Sequence, residues 1–353
     1  MDRREFLSYR LAFSGLPFGE LQQVLLGAGC EHSWNECCRY SWKRLRGQAR
    51  QAEHKGDLEW AAQAWGWAAC AYQAASLGFN FVPETNNRNW VVRTRHLAHF
   101  CYLRALRSDP SLARPVRIPS DGLVITGYLR PANNRRSPAV VLFNGLDSLC
   151  EVEMHAFGNW LLSRGLSVLS LDLPAGLFSR PRYPQFAIEE LAPAIADWIG
   201  GQPNLVPDRI GAFGVSFGGH LAARALSGDA RFRAGVAVSP PAWIGVKELK
   251  QIRLRFMFAL AFNLQSDEEV YAMADQIQIA RMSPPRGKLL YCNMENDELF
   301  GAEHVAAFIA WANSRIELRK YSGEHVGTSC IHTWLPEACG WLRSELSAKE
   351  VAV

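Results

Sequence analysis

One pentapeptide places a serine between two glycines where the chain changes its pattern: it runs from Gly214 to Gly218 and reads GVSFG. The preceding stretch "RIGAFGV" is apolar and predicts a β-strand, whereas "GGHLAARAL" predicts a helix that begins at once. A serine at such a strand–turn–helix junction stands on a tight turn, and glycines are needed where a Cβ would clash. Its hydroxyl lies near the positive end of the helix dipole, which favours a developing anion. We interpret Ser216 as a candidate nucleophile, the alternative being a structural glycine-rich turn.

A serine nucleophile needs a base to take its proton and an acid to orient that base. Asp297 ends the predicted strand "KLLYCNMEND", and His325 follows the last predicted strand in "YSGEHVG". The order serine, acid, histidine is one of the known orders of such triads. Because the carboxyl ends of parallel strands meet at one edge of a sheet, we expect these three side chains to lie together.

Other residues could take some of these roles. Three glutamates stay open as replacements for Asp297: Glu295, Glu298 and Glu324. The remaining candidate bases are predicted to be structural, with His220 contacting the backbone or the sheet and His304 lying on a surface helix. His332 is expected to be a structural residue of the C-terminal helix.

An oxyanion formed by attack on a carbonyl needs two donors fixed where the charge develops. The amide of Phe217, directly after the serine, is one candidate. The second should come from the turn after the predicted strand "AVVLFNG", where we nominate the amide of Leu146. Asp147, Glu151 and Glu153 follow that turn and are expected near the mouth of the site. All three are interpreted as ordinary acids at a helix N-terminus, and Asp147 is the one that we nominate to contact substrate.

These residues require elements that hold them in place. Short apolar strands alternate with helices after residue 111, which predicts an α/β fold with a mostly parallel sheet covered by helices on both faces. Residues 1–110 are predicted to form a helical N-terminal domain, and the proline-rich stretch "SDPSLARPVRIPSDG" marks the boundary. A helical insertion at 242–286 is expected to form a lid whose Trp243 and Phe256 contact substrate.

Composition excludes several classes of protein. The 353 residues are 48% hydrophobic and 20% charged, as in ordinary globular proteins. A net charge of +4 without a clustered basic face argues against a nucleic-acid partner. The nine cysteines have no regular spacing and predict neither a disulfide framework nor a zinc site. His96 and His99 lack further ligands at suitable spacing, so no metal site is predicted.

Targeting signals are also weak. The N-terminal stretch "MDRREFLSYRLAFSGLPFGE" has a charged start but no continuous apolar core of the kind found in signal peptides. No stretch reaches the ~18 apolar residues that span a bilayer. The sequence therefore predicts a cytoplasmic protein with no membrane partner.

Several motifs together resemble one known family. "LFNGLDS", "LDLPAG", "GVSFGGHLAARA", "ENDELF" and "SGEHV" are similar to those of the serine α/β-hydrolases of the FrsA-like group, as is the helical N-terminal region. That group includes the 2,6-dihydropseudooxynicotine hydrolases and fungal polyketide-shortening hydrolases. The resemblance implies the triad Ser216, Asp297 and His325, no cofactor, and a possible homodimer. The sequence departs from the group at Asn144 and in "PAGLFSR", which affects the expected shape of the substrate site.

Three functions are consistent with these observations. The first is hydrolysis of a carbon–carbon bond beside a ketone in an apolar polyketide-like or aromatic small molecule. The second keeps the nucleophile but acts on a carboxylester or a thioester, including one held on a carrier protein. The third is a binding or regulatory protein built on a hydrolase scaffold.

Overall fold

The computed structural model describes most of the chain, namely residues 2–28, 31–80, 88–120, 122–132, 136–173 and 187–347. The departure "PAGLFSR" noted in the sequence lies in 174–180, outside the described residues.

The first hundred residues form helices. They are α1 (Arg3–Phe13), α2 (Phe18–Leu25), α3 (Glu31–Lys55), α4 (Leu58–Ser76) and α5 (Arg88–Ser108). The carboxylate of Asp2 caps α1 by accepting from the amide of Arg4 at 2.6 Å. Helix α4 is buried along nearly its whole length because its many alanines let α3 and α5 pack closely against it. Helices α1 and α2 were not recognised from the sequence.

The rest of the described chain is built on one eight-stranded sheet. Its strands are β1 (Arg114–Ser120), β2 (Leu123–Arg130), β3 (Ser137–Phe143), β4 (Ser167–Leu171), β5 (Leu205–Val215), β6 (Phe232–Val238), β7 (Lys288–Met294) and β8 (Ile316–Tyr321). The spatial order is β1-β2-β4-β3-β5-β6-β7-β8. Strand β2 pairs antiparallel with both of its neighbours, and all later pairs are parallel. This confirms the prediction of a mostly parallel sheet.

Strand β1 lies inside the stretch that the sequence indicated only as a boundary. Its burial alternates along the strand, with Val116 and Ile118 pointing inward. Pro115 and Pro119 are tolerated because β1 is an edge strand, where a missing amide donor leaves no ladder bond unmade. The proline-rich stretch therefore contains an edge strand, and the domain boundary within it stays a prediction.

Helices cover both faces of the sheet. They are α6 (His155–Leu162), α7 (Ile188–Gly200), α8 (Phe217–Gly228), α12 (Ala302–Ala312) and α13 (Ile331–Ser347). One core joins the N-terminal helices, α7, α8 and one face of the sheet, and a second lies between the other face, α6 and α13. The two cores make β3, β6 and the second half of β5, residues 210–215, almost completely inaccessible, which explains why these stretches read as continuous apolar runs.

The insertion between β6 and β7 contains α9 (Val246–Leu249), α10 (Ile252–Ala261) and α11 (Asp267–Ala274). Phe258 and Phe262 are buried and pack edge-on against Phe217, with ring centroids 6.4 and 5.7 Å away. The insertion thus covers the residue that follows Ser216. Within the described ranges, no helix is long and apolar enough to cross a membrane.

Candidate active site

Ser216 lies on the turn between β5 and α8 with a strained backbone. Its φ of 53° and ψ of −126° fall in a region that non-glycine residues rarely adopt. The turn leaves no room for side chains, because a Cβ at Gly214 would lie 2.0 Å from the carbonyl oxygen of Gly218. A Cβ at Gly218 would lie 2.2 Å from the carbonyl oxygen of Phe143. The amide of Ser216 donates to Val238 at 2.8 Å and fixes the turn to β6. The glycines are therefore required by backbone contact.

Three side chains from separate strand ends form one hydrogen-bonded series. Ser216 Oγ lies 2.9 Å from His325 Nε2. His325 Nδ1 lies 2.9 Å from Asp297 Oδ2 and 3.1 Å from Oδ1. The carboxylate can only accept a hydrogen bond, so Nδ1 carries the proton and donates, and the network assigns Nε2 as acceptor for the serine hydroxyl. This geometry is that of a nucleophile, a general base and an orienting acid.

Asp297 is held as a carboxylate. Burial raises its pKa, but the proximity of His325 and hydrogen bonds from the amides of Leu299 and Phe300 outweigh burial, so the pKa is lowered overall. An ionised acid at this position stabilises the imidazolium that forms when His325 accepts a proton. Among the described residues, the acid within hydrogen-bonding distance of His325 is Asp297, whereas Glu295 and Glu298 are exposed.

The loop that carries the histidine is fixed by its own contacts. Val326 has a φ of 72°, and its amide donates to Ser239 Oγ at 3.2 Å. Glu324 accepts from the hydroxyls of Thr328 and Ser329, both at 2.5 Å, and from the amide of Ser329 at 3.1 Å. Glu324 therefore fixes the conformation of this loop through its hydrogen bonds to Thr328 and Ser329. From the sequence alone, this glutamate is an open alternative for the orienting acid.

The two nominated oxyanion donors flank the serine. Phe217 is the first residue of α8, a position whose amide has no carbonyl partner within the helix. A Cβ at Gly145 would lie 3.7 Å from Ser216 Cβ, so the turn before Leu146 directly adjoins the nucleophile. Leu146 itself is buried and lines the same cavity as Ser216. Their function as donors stays a prediction.

A buried ionic network holds that turn from the side of the N-terminal helices. Arg10 of α1 donates from Nη1 to Asp147 Oδ2 at 2.7 Å and from Nη2 to Glu153 Oε1 at 2.6 Å. Gln73 of α4 donates to the carbonyl oxygen of Asp147 at 2.8 Å and to Glu153 Oε1 at 2.9 Å. Glu153 Oε2 in turn accepts from the amide of Leu149 at 2.9 Å. The helical region thus fixes the turn that follows β3.

This network favours the charged forms of Asp147 and Arg10. Burial raises the pKa of Asp147, but the charge and hydrogen bond of Arg10 outweigh burial, so the pKa falls below its usual range. The same two carboxylates, Asp147 and Glu153, raise the pKa of Arg10 against the effect of its burial. Glu153 lies in the first turn of the helical segment Cys150–Met154, as the sequence interpretation has it, and its oxygens also accept from Arg10 and Gln73.

A cavity of about 140 Å³ opens beside Ser216. Apolar side chains from α1, α6 and α10 form much of its wall: Phe6, Phe13, Phe157, Leu254 and Met257. Asp147 also lines it, but the nominated Trp243 and Phe256 are not among its described lining residues. Trp243 instead lies against the ring of His304, 4.2 Å between centroids. Phe256 is half-buried on a face of α10 different from the one that carries Leu254 and Met257.

Helix α1 contributes wall residues that the sequence analysis missed. Leu7 and Leu11 are buried one turn apart with Arg10 beside them, an arrangement that places an arginine at the edge of an apolar helix face. This pattern was available in "REFLSYRLAF" as a buried-arginine signal.

The other histidines have structural contacts. His220 Nδ1 donates to the carbonyl oxygen of Pro241 at 2.9 Å, as expected for a backbone contact. His304 lies on α12, which is exposed on its other side as expected of a surface helix, but its own ring is fully buried and accepts from the amide of Ala242 at 3.1 Å. Within the described residues, no group of three or more His, Cys, Asp or Glu side chains could hold a metal ion.

Comparison with known proteins identifies the family. The family model "Esterase FrsA-like" matches residues 33–278. Esterase FrsA of Vibrio vulnificus (strain YJ016) is 24% identical over 245 residues, which cover 67% of this chain and 58% of that protein. Esterase FrsA of Yersinia pestis (strain Pestoides F) is 27% identical over 229 residues, which cover 58% of this chain and 52% of that protein. The matches thus span little more than half the length of these relatives.

Solved structures share the architecture over the whole chain. A 2,6-dihydroxy-pseudo-oxynicotine hydrolase superposes with a TM-score of 0.80 at 18% identity and covers 98% of this chain and 97% of its own. AbyA5 superposes with a TM-score of 0.65 at 18% identity and covers 98% and 99%. At these identities the likeness concerns the fold, including the helical N-terminal region. The protein has the α/β-hydrolase fold and belongs to the FrsA-like esterase family.

Proposed function

We propose that this protein is a serine hydrolase in which Ser216 is the nucleophile, His325 the general base and Asp297 the orienting acid. The observation that carries the proposal is the hydrogen-bonded series through these side chains, with 2.9 Å at both steps. Membership in an esterase family supports the same chemistry. The three side chains and water are sufficient for acyl transfer, so the proposal includes no cofactor.

The first half of the reaction forms an acyl-enzyme. Ser216 Oγ attacks the substrate carbonyl carbon while His325 Nε2 takes the hydroxyl proton, and the carbonyl electron pair moves to oxygen. The amides of Phe217 and Leu146 are proposed to donate to this oxyanion. Collapse re-forms the carbonyl and breaks the bond to the leaving group, which receives the proton from the His325 imidazolium.

The second half releases the acid. A water molecule loses a proton to His325 and attacks the acyl carbon, and Ser216 leaves with that proton. The product is a carboxylic acid and the free enzyme. Atoms and protons balance for an ester, whose leaving group is an alcohol, and for a ketone that carries an acidic carbon, whose leaving group is an enolate.

For the bond cleaved, we propose a carbon–carbon bond beside a ketone in an apolar, polyketide-like or aromatic substrate. Support comes from the apolar wall formed by Phe6, Phe13 and Met257. Further support is the full-length likeness to a 2,6-dihydroxy-pseudo-oxynicotine hydrolase, which includes the N-terminal helices that build this wall. An enolate leaving group is protonated by the same imidazolium as an alkoxide, so the site needs no additional acid.

Ester or thioester hydrolysis is the second candidate. It is favoured by the match to the esterase family over residues 33–278. The same attack and collapse apply, and only the leaving atom differs. A thioester on a carrier protein belongs to this candidate, because acyl transfer from sulfur needs no further group.

The decisive experiment combines a covalent probe with a substrate panel. A fluorophosphonate should label the wild-type protein and not Ser216→Ala, whereas Ser227→Ala should label normally, because that hydroxyl donates to the carbonyl oxygen of Arg224 within α8. Turnover of β-diketones, 4-nitrophenyl esters and acyl thioesters is then compared with one preparation. Preference for the diketone supports carbon–carbon cleavage, and preference for esters replaces it with the second candidate. A folded wild-type protein that the probe does not label refutes the catalytic proposal and favours a regulatory role.

A further inference from the structure

Two arginines on different helices line the cavity of Ser216. Arg3 lies in the first turn of α1 and Arg253 in the first turn of α10, and both line the cavity wall. Within the described part of the chain, neither side chain makes a hydrogen bond or an ion pair, and Arg253 Nε is buried without a partner. Both arginines therefore bring uncompensated positive charge to the substrate cavity.

The other charged groups of the cavity do not compensate this charge. Asp147 and Glu153 also line it, but both carboxylates already accept from Arg10. Glu298 lies close enough to act on Arg253 through space, yet it is exposed and makes no ion pair with it in the described structure. Burial, together with the like charge of Arg3, lowers the pKa of Arg253.

Like charges held together and partly desolvated raise the free energy of the folded protein unless an anion joins them. Exposed arginines far from a site can separate and remain solvated, but Arg253 is held with its Nε buried at the wall. Perturbed ionisable groups in a cavity beside a nucleophile are typical of binding sites. The planar guanidinium matches the two oxygens of a carboxylate or phosphate.

We propose that Arg3 and Arg253 form a subsite for an anionic oxygen group, a carboxylate or a phosphate, on the substrate whose carbonyl Ser216 attacks. The inference rests on the proposed function, because that function defines which carbonyl reacts. The anion is on the same molecule as the carbonyl, since one cavity of about 140 Å³ contains both Ser216 and the arginines. The substrate is thus an amphipathic acid whose apolar part contacts the phenylalanine wall.

The test uses three 4-nitrophenyl esters of equal length: pentanoate, hemiglutarate and 4-phosphonobutanoate. After subtraction of uncatalysed hydrolysis, the wild-type kcat/KM for an anionic ester should exceed that for pentanoate by roughly tenfold, the effect of one charge-assisted hydrogen bond. Arg253→Gln and Arg3→Gln should reduce this ratio toward one. A preference for hemiglutarate identifies a carboxylate substrate, and a preference for the phosphonate identifies a phosphorylated one.

Arg255→Gln is the matched control. Arg255 lies on the same helix but pairs with Asp267 at 3.3 Å and does not line the described cavity. This variant should keep the wild-type ratio and so exclude a general effect of removing positive charge from α10. Equal rates for all three esters in the wild type, or an equal loss of the ratio in Arg255→Gln, overturns the inference.

A binding measurement tests the anion subsite independently of the proposed catalytic function. Calorimetry with the Ser216→Ala protein compares monomethyl glutarate with methyl pentanoate and needs no turnover. Tighter binding of the anion, lost when Arg253→Gln is added, supports the subsite even if no ester is hydrolysed. Equal binding of the two compounds overturns the subsite even if Ser216 proves to be the nucleophile.

Discussion

Arg10 Nη1 and Asp147 Oδ2 lie 2.7 Å apart, and this contact joins the first helix of the chain to the turn that follows β3. The turn carries Leu146, a nominated oxyanion donor, directly beside Ser216. The arginine is buried and contacts two carboxylates, so its planar group defines their relative positions. The helical N-terminal region therefore contributes to the geometry of the site as well as to its wall.

We expect Arg10→Lys to lower kcat by roughly tenfold while the protein stays folded, because lysine keeps the charge but cannot hold both carboxylates with one planar group. KM should change much less than kcat if Arg10 acts by positioning Leu146. Steady-state kinetics together with thermal unfolding checks this expectation.

Arg104→Lys is the control for that measurement. Arg104 also forms a two-pronged contact, with Glu53, but the pair lies between α5 and α3 away from the cavity. It should leave kcat unchanged. Arg10 would have only a structural role if kcat fell in both variants. The same conclusion would follow if Arg10→Lys lost thermal stability while its kcat stayed unchanged.

Asp297→Asn should reduce kcat by about 10⁴-fold without unfolding the protein, since an amide cannot stabilise the imidazolium and can select the wrong tautomer of His325. Glu295→Gln should retain activity, because this exposed acid does not contact the histidine. The opposite outcome, activity lost in Glu295→Gln and kept in Asp297→Asn, would assign the acid to Glu295. Burst-phase kinetics with an activated ester will show whether acylation is the step that slows.

The proximity of Ser216, Asp297 and His325 could be predicted from the sequence because each follows a strand end, where local pattern and chain order are sufficient. Their catalytic roles stay a prediction. Ser216 and Asp297 follow apolar runs whose ends are visible in the sequence, whereas His325 follows β8, in which apolar and charged residues alternate. The parallel strands then bring these ends to one edge, so no long-range contact had to be inferred.

The cavity wall could not be predicted in the same way. Leu254 and Met257 reach it, whereas Phe256 between them does not, because the orientation of α10 on the sheet decides which face points inward. Arg10 and Gln73 meet Glu153 across more than seventy residues of chain. Such contacts depend on tertiary packing and leave only a weak local signal, such as an arginine on an apolar helix face.

Asp147 predicts a specific dependence of stability on pH. Its pKa in the folded protein is depressed below the ordinary value of about 3.9. A carboxyl group whose pKa is lower in the folded than in the unfolded protein stabilises the folded state. This contribution is complete when the pH is above the pKa in the unfolded protein, and it is lost as the pH falls through the pKa in the folded protein. Asp147→Asn should therefore be less stable than wild type near neutral pH, and the difference should shrink as the pH falls below about 4.

Urea unfolding of the two proteins between about pH 3 and pH 7 measures this difference. In the folded protein, Arg10 lowers the pKa of Asp147 and outweighs the opposing effect of burial. Because lysine keeps the positive charge, Arg10→Lys should retain part of the same pH dependence. If the difference in unfolding free energy between the two proteins stays constant over the whole pH range, the contact with Arg10 does not lower the pKa of Asp147.

Close backbone contacts at the turn that carries Ser216 predict that an added methyl group there is not tolerated. Gly218→Ala should destabilise the protein strongly and abolish labelling of Ser216, because the new Cβ would lie 2.2 Å from the carbonyl oxygen of Phe143. Neither atom belongs to a flexible side chain, so relief requires moving α8 or β3. Gly66→Ala is the control, since nothing lies within 4 Å of its Cβ position in the middle of α4. That variant should gain roughly 0.5–1 kcal/mol in unfolding free energy. Equal thermal unfolding of the two variants would show that the turn can relax, and that its glycines are not required by close contact.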